Sequence, residues 1–372
     1  MKFILTVAGS RAGTEFFHSL LDGHSQILKF PGILRGNIEL KKLLDLKSPD
    51  EVSQKFISDY KHFFDSRYYN LGDSASLDRH DQLGEKRNRY YKVSKKKFSI
   101  LFKHLSKIKK SKNIIINNLT NLHKAYALAC GYNIKKKKII IINTHLIEYL
   151  KFYNNNIFKK KNFEIIHTIR HPLSALSSPL RWLKFNHGRD FIPNSIYFHI
   201  NLVVNGIQNL KKLKKKITII RLEDLHLKNK YTLKMFCNEY KINYEKILQK
   251  STYNGLKWWG DKISKKNLNG VNKNFKISFD KNNFYNKDLI FFQKTLQNFL
   301  RKYSYDNIFK TEEGNYYFNG ILPFKCEILT WKNTIKNMKI KHIFSIPYFY
   351  SKRILKVNFQ KNNLVLPNYI GE

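Results

Sequence analysis

Three side chains of the sequence have the types and positions that anion binding and proton transfer require. Arg11 lies between Gly9 and Gly13 in a short loop that follows an apolar run. An arginine stays protonated and can grip an anion through two parallel N–H groups. Arg170 also follows an apolar run, and His145 follows a run of four isoleucines. Because histidine titrates near neutral pH, His145 can accept a proton from a hydroxyl group. The sequence therefore indicates a site for an anionic ligand with a base nearby.

The loop that carries Arg11 predicts a cradle for a phosphate group. Phe3–Val7 has the length and β-branched content of a buried strand, and residues 16–21 carry apolar side chains at helical spacing. In such a strand–loop–helix unit, backbone N–H groups point at a bound phosphate. The loop lacks the GxxxxGK[ST] pattern of ATPases. The residues expected to contact the ligand are Ser10, Arg11, Ala12, Gly13, Thr14, Glu15 and Phe16.

A second stretch, residues 164–178, also predicts a strand that is followed by an arginine and a helix. Its sequence is EIIHTIRHPLSALSS. An apolar strand ends at Arg170, Pro172 lies where a helix would begin, and Ser178 follows the arginine by eight residues. Together the two stretches resemble the sulfotransferase family, whose donor is 3′-phosphoadenosine 5′-phosphosulfate. The resemblance implies that the first loop binds the 5′-phosphosulfate, and that Arg170 and Ser178 bind the 3′-phosphate. It also implies an α/β fold with a mostly parallel, doubly wound sheet and a P-loop-like phosphosulfate loop.

A third segment carries the expected catalytic base. The four isoleucines predict a central parallel strand buried on both faces, and His145 lies at its carboxyl end, where open α/β sheets place their ligands. The segment resembles the K-T-H-L motif of cytosolic sulfotransferases, which implies that His145 is the general base. Asn143 stands where that group has a lysine that stabilises the transferring sulfuryl group. Arg11 or another cation is therefore expected to take over this catalytic task alone.

Two residues of the first loop depart from or extend the resemblance. Glu15 replaces the family's Thr or Ser, and a carboxylate beside a phosphosulfate is unfavourable unless it points away, pairs with a cation or acts as base. Glu15 is therefore the second candidate for the base. Phe16 takes the place of an aromatic residue that stacks on adenine in cytosolic relatives, with ordinary helix packing as the alternative interpretation.

The formal net charge of +42 over 372 residues favours anionic partners. The chain is also rich in Asn, Ile, Tyr and Phe, and a bias toward A- and T-rich codons would raise the lysine content whatever the function. Runs such as Lys135–Lys138 are typical of solvated faces. The charge therefore predicts no specific nucleic-acid partner.

Two alternative functions stay open at this point. An ATP-dependent small-molecule kinase would need Mg²⁺-binding acidic residues near its phosphate loop, and the sequence offers no clear set, so we expect no metal. A non-catalytic nucleic-acid-binding protein would bind any duplex with a steep salt dependence. The preferred function is sulfuryl transfer to an acceptor hydroxyl, which family habit places on a carbohydrate or another cell-envelope molecule.

The chain divides by composition into an α/β domain, residues 1–319, and a basic, aromatic extension, residues 320–372. Residues 37–105 are expected to form a helical insertion that either caps the acceptor pocket or covers one sheet face. The extension is expected to form a hairpin and helix packed on the domain, or a peripheral contact with an anionic membrane or polysaccharide.

Four smaller expectations complete the sequence-based description. Ile114–Ile116 is expected to begin a strand, although the residues that follow have a helical pattern. Pro179 should kink or end a helix. Residues 257–262 resemble a basic loop that closes over the 3′-phosphate in cytosolic relatives. Three scattered cysteines and a first strand that begins at the N-terminus suggest a cytoplasmic protein.

Overall fold

A five-stranded parallel sheet forms the centre of the protein. The computed structural model describes residues 1–71, 80–108, 113–159, 161–185, 192–260, 270–306, 316–337, 339–358 and 366–370. The strands of the sheet are β1 (Lys2–Ala8), β2 (Ile27–Leu28), β3 (Ile139–His145), β4 (Glu164–Ile169) and β5 (Ile217–Arg221). Their order is β2-β3-β1-β4-β5, and every pairing is parallel. The predicted α/β class with a mostly parallel sheet is confirmed.

The strand order places β1 in the middle of the sheet. The chain runs from β1 to the edge strand β2, returns through β3, and then crosses β1 to form β4 and β5 on the other side. Because parallel crossovers are right-handed, this reversal puts helices on both faces, which is the doubly wound arrangement. In such sheets, ligands bind outside the carboxyl ends of the strands at the reversal.

The apolar runs become strands because both of their faces are covered. Phe3, Leu5 and Ile141 are at most 1% exposed, and Leu5 pairs with Ile142 across β1 and β3. A strand buried on both faces has no polar face to alternate with, so its sequence reads as a continuous apolar run. This packing fixes the ends of β1, β3, β4 and β5 at one edge of the sheet.

Helices connect and cover the strands. They are α1 (Thr14–Leu20), α2 (Ile38–Asp45), α3 (Pro49–Asp59), α4 (Lys61–Phe64), α5 (Lys95–Ile108), α6 (Ile114–Ala129), α7 (Ile147–Phe152), α8 (Pro172–Phe185), α9 (Pro193–Lys211), α10 (Leu222–Leu227), α11 (Asn229–Glu239), α12 (Asn286–Thr295) and α13 (Gln297–Lys302). A small antiparallel hairpin joins β6 (Thr252–Tyr253) to β7 (Leu256–Lys257). Helices α2 to α4 and most of α5 lie within residues 37–105.

The isoleucine run at Ile114–Ile116 opens a helix, so the expectation of a strand entry there was wrong. Asn113 has an extended backbone, and its side-chain oxygen accepts a hydrogen bond from the Ile116 N–H at 3.1 Å. An asparagine at this position satisfies one of the free N–H groups of the first turn. The cap therefore outweighs the β preference of the three isoleucines.

The extension is helical and packs on the α/β domain. It contains α14 (Tyr316–Ile321), α15 (Lys325–Lys336), α16 (Ile340–Ile343) and α17 (Ile346–Arg353), followed by a π-helical turn over Ile354–Asn358. Helices α15 and α17 contact α9. Within the described residues the extension contains no β-hairpin, and residues 359–365, to which the same expectation applies, lie outside them. Its last described segment instead pairs with β5, where the Ile219 N–H donates to the Asn368 carbonyl at 3.0 Å.

Two further findings concern the described residues alone. All three cysteines, Cys130, Cys237 and Cys326, are free thiols there, as expected from their scattered positions. Among the same residues, no helix combines the length and the apolar character needed to cross a bilayer.

Candidate functional site

A cavity of about 570 Å³ opens at the carboxyl ends of the central strands. Its size falls within the range of about 300–1,000 Å³ usual for small-molecule sites. Ala8 at the end of β1, His145 at the end of β3, Arg170 after β4 and Leu222 after β5 all line it. The cavity also contains every other predicted contact residue: Ser10, Arg11, Ala12, Gly13, Thr14, Glu15, Phe16 and Ser178. The fold thus brings together predicted contact residues that lie up to 168 positions apart in the sequence.

The first loop depends on its glycines. The Gly9 N–H donates to the Thr168 carbonyl at 2.8 Å, and a Cβ atom at Gly9 would lie 2.9 Å from that same oxygen. Gly13 has a φ of +75°, and a Cβ there would lie 2.4 Å from the Leu222 side chain. Both positions therefore exclude a larger residue. The Thr14 and Thr168 hydroxyls share a hydrogen bond of 2.6 Å, which fastens the loop to β4.

Arg11 and Ser178 connect the two predicted phosphate sites. Arg11 has a φ of +48°, and its Nε donates to the Ser178 hydroxyl at 3.4 Å. From the sequence, Arg11 was predicted to bind the 5′-phosphosulfate, and Ser178 was predicted to bind the 3′-phosphate together with Arg170. In the folded chain Arg11 and Ser178 contact each other, so the residues of the two predicted sites form one continuous wall of the cavity.

Pro179 lies inside α8, so of the two expected effects, a kink or an end of the helix, the helix end does not occur. A proline inside a helix has no N–H to bond the carbonyl four residues earlier, which here is Ala175. The Ala175 carbonyl instead accepts a hydrogen bond from the Ser10 hydroxyl at 3.3 Å. The proline therefore leaves free an acceptor that holds the phosphate loop against α8.

Arg170 is a largely buried cation that lines the cavity. Its Nε is buried, and among the described residues this atom has no hydrogen-bond partner. Burial lowers the pKa of Arg170, and Arg181 and Arg11 lower it further, although Glu223 opposes this shift. A buried donor without a partner is unfavourable, and neighbouring like charges add to the penalty. An anion bound in the cavity would relieve both.

Two further cationic side chains line the cavity, and neither was predicted from the sequence. Arg181 follows Ser178 by less than one helical turn, and Lys276 lies in the loop after Gly270. Of the described residues that line the cavity, Glu15 is the one acidic side chain. The lining is therefore strongly biased toward an anionic ligand.

His145 reaches the cavity through a strained turn. It has a φ of +61°, and the Leu146 N–H donates to the Thr144 carbonyl at 2.7 Å, which closes a three-residue turn. Burial lowers the pKa of His145 to about 4, with further lowering by Arg11 and Arg35. The imidazole is thus neutral at pH 7 and can accept a proton. Among the described residues its buried Nδ1 has no hydrogen-bond partner.

His199 of α9 is a second histidine in the cavity, and the sequence analysis did not select it. Its Nδ1 lies 2.9 Å from the Ser10 hydroxyl, and burial lowers its pKa to about 3. Arg11 and His145 both contribute to that lowering, so the three side chains are neighbours. The sequence signal was weak because His199 lies within an amphipathic helix and no strand end marks it.

Glu15 is held by neutral donors. Its Oε1 accepts a hydrogen bond from Asn143 at 2.6 Å, and its Oε2 accepts one from the Tyr253 hydroxyl at 2.9 Å. Burial raises the pKa of Glu15, while these two hydrogen bonds and nearby Lys29 lower it. Asn143 and Glu15, the two residues that depart from the motifs that this sequence resembles, are thus hydrogen-bonded to each other.

Phe16 is part of an aromatic stack at the edge of the cavity. Its ring lies 4.4 Å from the His226 ring, and the His226 ring lies 4.7 Å from the Phe275 ring, with interplanar angles of 16° and 13°. Phe16 is 3% exposed. At these spacings no further ring fits between neighbours. A nucleobase therefore cannot insert between these three rings.

The loop that borders the cavity follows Gly270. Asn272, Asn274, Phe275, Lys276 and Ser278 all line the cavity. The Ser174 hydroxyl donates to the Ser278 carbonyl at 2.8 Å, which ties this loop to α8. From the lid segment expected at residues 257–262, Trp258 lines the cavity, and residues 261 and 262 lie outside the described residues.

Two other features of the described residues bear on function. No described residue between 37 and 105 lines the cavity. In the part of the chain that the structure describes, no cluster of three His, Cys, Asp or Glu side chains is arranged to hold a metal ion.

Comparisons with known proteins find similarity in structure only. No protein-family model matches the chain, and no curated protein matches it. The sulfotransferase domain from the Synechococcus PCC 7002 olefin synthase aligns with a TM-score of 0.33 and 16% identity, over 68% of this chain and 76% of that one. The sulfotransferase domain from the curacin biosynthetic pathway aligns with a TM-score of 0.39 and 14% identity, over 82% of this chain and 98% of that one.

Proposed function

We propose that the protein transfers a sulfuryl group from 3′-phosphoadenosine 5′-phosphosulfate to an acceptor hydroxyl. The observation that carries this proposal is the guanidinium group of Arg170. It lines the cavity beside Arg11 and Arg181, with its buried Nε lacking a hydrogen-bond partner among the described residues. Such an arrangement favours a ligand with several negative charges in place of a neutral or singly charged one.

The cavity offers two positions for phosphate groups. The loop from Ser10 to Thr14 would hold the 5′-phosphosulfate with its backbone N–H groups. Arg170 and Ser178 would hold the 3′-phosphate, and Arg11, which contacts Ser178, would lie between the two groups. A donor with phosphates at both ends of its ribose matches this extended wall, whereas ATP carries all its phosphates on one side.

The chemistry needs a cation at the sulfuryl group and a base at the acceptor. The acceptor oxygen attacks sulfur, the bond from sulfur to the phosphate oxygen breaks, and the acceptor proton passes to the base. The products are a sulfate ester and adenosine 3′,5′-bisphosphate. Charge builds on the equatorial and leaving oxygens, as in phosphoryl transfer. Arg11 is the proposed cation for this charge.

His145 is the preferred base. It is neutral at pH 7, and the negative charge of a bound donor would raise its lowered pKa toward the working range. Both carboxylate oxygens of Glu15 already accept hydrogen bonds, which favours a positioning role for that residue. His199, whose Nδ1 lies 2.9 Å from the Ser10 hydroxyl, is a further candidate for the base.

The acceptor is proposed to be a hydroxyl of a carbohydrate or another cell-envelope molecule, which follows the habit of the family the motifs resemble. The kinase alternative lacks support from acidic residues, since Glu15 is the one acidic side chain among the described residues lining the cavity. Nucleic-acid binding without catalysis would use the surface lysines and would be indifferent to the buried face of the cavity.

A thermal-shift titration tests this function. Adenosine 3′,5′-bisphosphate should raise the melting temperature more than AMP or ATP at equal concentration, because a ligand that binds only the folded state stabilises it. The Arg170→Ala variant should lose this selective shift, whereas Arg301→Ala, which removes an exposed arginine outside the cavity, should keep it. An equal shift with ATP, or a selective shift that survives in Arg170→Ala, would reject the proposal.

A further inference from the structure

One face of the extension exposes large apolar side chains in a row. Ile340 is 67% exposed, Phe344 80%, Tyr348 59% and Leu355 68%. We call these four residues the extension face. A phenylalanine as exposed as Phe344 is unfavourable in water, and an exposed row of large apolar side chains marks a contact surface.

The spacing of the extension face shows that it is a single stripe. Ile340, Phe344 and Tyr348 follow each other at intervals of four residues, and Leu355 follows after two further turns. The Phe344 N–H donates to the Ile340 carbonyl at 3.3 Å, and Phe344 and Ser345 both have helical backbone angles. Helical geometry thus continues from α16 into α17 and aligns these side chains on one side.

The opposite side of α17 is fixed to the protein. Arg353 is fully buried, and its Nε and Nη2 donate to Glu327 at 3.1 and 2.9 Å. Its guanidinium also donates to the carbonyls of Gly320 and Leu322. The stripe is therefore presented by a rigid support, since its helix cannot rotate to bury the apolar side chains without breaking this ion pair.

The surroundings of the stripe are positively charged. Lys341 and Lys356 are exposed beside it, and Lys332 and Lys336 are exposed on α15. From residue 328 to residue 371 the chain contains eight Lys or Arg residues and no acidic residue. Helix α9, against which α15 and α17 pack, also contains no acidic residue. The face thus combines an apolar centre with a rim of one sign of charge.

We propose that the extension face docks on the surface of an anionic lipid bilayer. Apolar side chains on a helix lying in the interface enter the boundary between headgroups and acyl chains, while lysines at the rim contact anionic headgroups. A second copy of the chain fits less well, because a symmetric contact would set lysines against lysines. A nucleic acid would use the lysines and leave the four apolar side chains in water.

Vesicle sedimentation tests the proposal with the full chain. Vesicles of phosphatidylcholine alone are compared with vesicles containing one third phosphatidylserine, at physiological salt. We expect binding to the anionic vesicles only, and weaker binding for Phe344→Ser and Lys341→Gln. Each lysine near an anionic surface contributes about fivefold in affinity. Ile100→Ser and Lys96→Gln, at exposed positions of α5, are the matched controls and should bind like the wild type.

The controls separate this face from the overall charge of the protein. If the α5 variants weaken binding as much as the extension variants do, the net charge drives binding and the proposal fails. Equal binding to both kinds of vesicle, or no binding to either, would also overturn it. A wild type that dimerises by light scattering and becomes monomeric in Phe344→Ser would identify a second copy as the occupant and likewise overturn it.

Discussion

Replacing Arg170 by methionine should make the unliganded protein more stable and its binding of adenosine 3′,5′-bisphosphate much weaker. Methionine keeps the length of the side chain and removes a guanidinium group whose buried Nε lacks a partner among the described residues. Removing such a donor recovers about 1 kcal/mol of stability. Two charge-assisted hydrogen bonds to a phosphate contribute about 1.5–3 kcal/mol each. Their loss should weaken binding by about 150-fold or more.

The predicted gain in stability and the predicted loss of affinity can both be measured on the same preparation. Thermal unfolding without ligand should show an unchanged or higher melting temperature for Arg170→Met, because a gain of about 1 kcal/mol shifts it by roughly 2 °C in a chain of this size. Calorimetric titration with adenosine 3′,5′-bisphosphate should show the loss of affinity. A melting temperature lowered by several degrees together with unchanged affinity would refute the reasoning, since Arg170 would then be a structural residue.

Three other outcomes follow from the structure. Pro179→Ala restores an N–H that competes with the Ser10 hydroxyl for the Ala175 carbonyl. Thermal unfolding should therefore show higher stability, and calorimetric titration should show about fivefold weaker binding of adenosine 3′,5′-bisphosphate. A lower melting temperature would contradict this. Arg353→Leu leaves Glu327 buried without its partner and should lower the free energy of unfolding in urea by about 3–5 kcal/mol, whereas a change below 1 kcal/mol would contradict a buried ion pair. Acidification from pH 7 to 5.5 should destabilise the protein, because burial holds the pKa of seven histidines at about 4 or below while the unfolded chain takes up protons near pH 6.5. Each of them, His145 included, contributes about 1.3 kcal/mol to that loss, and equal stability at both pH values in urea titrations would refute it.

The sheet was predictable because its strands are buried on both faces. Phe3–Val7 and the isoleucines of β3 form apolar runs of strand length, and each run lies in the sheet. The isoleucines at the start of α6 show the limit of this reasoning. Their type favours a strand, but the capping side chain of Asn113 and the packing of α6 against α2 and α5 decide for a helix.

Residues of the candidate site that follow the end of a strand could be predicted from the sequence. Those that lie on a helix or in a loop were harder to predict. His145 and Arg170 could be selected because carboxyl ends of parallel strands meet at one edge of a sheet. His199 and Lys276 reach the same cavity from a helix and a loop, and no local pattern marks them. The pairing of Glu15 with Asn143 depends on two residues 128 positions apart, so each looked like an isolated departure from the family pattern.

A crystal structure of the complex with adenosine 3′,5′-bisphosphate would test the central claim most directly. The account predicts the 3′-phosphate within hydrogen-bond distance of Arg170 and Ser178, and the 5′-phosphate on the loop from Ser10 to Thr14. The acceptor side of the 5′-phosphate should then face His145. A nucleotide bound outside this cavity, or one whose 3′-phosphate points into solvent away from Arg170, would contradict the account.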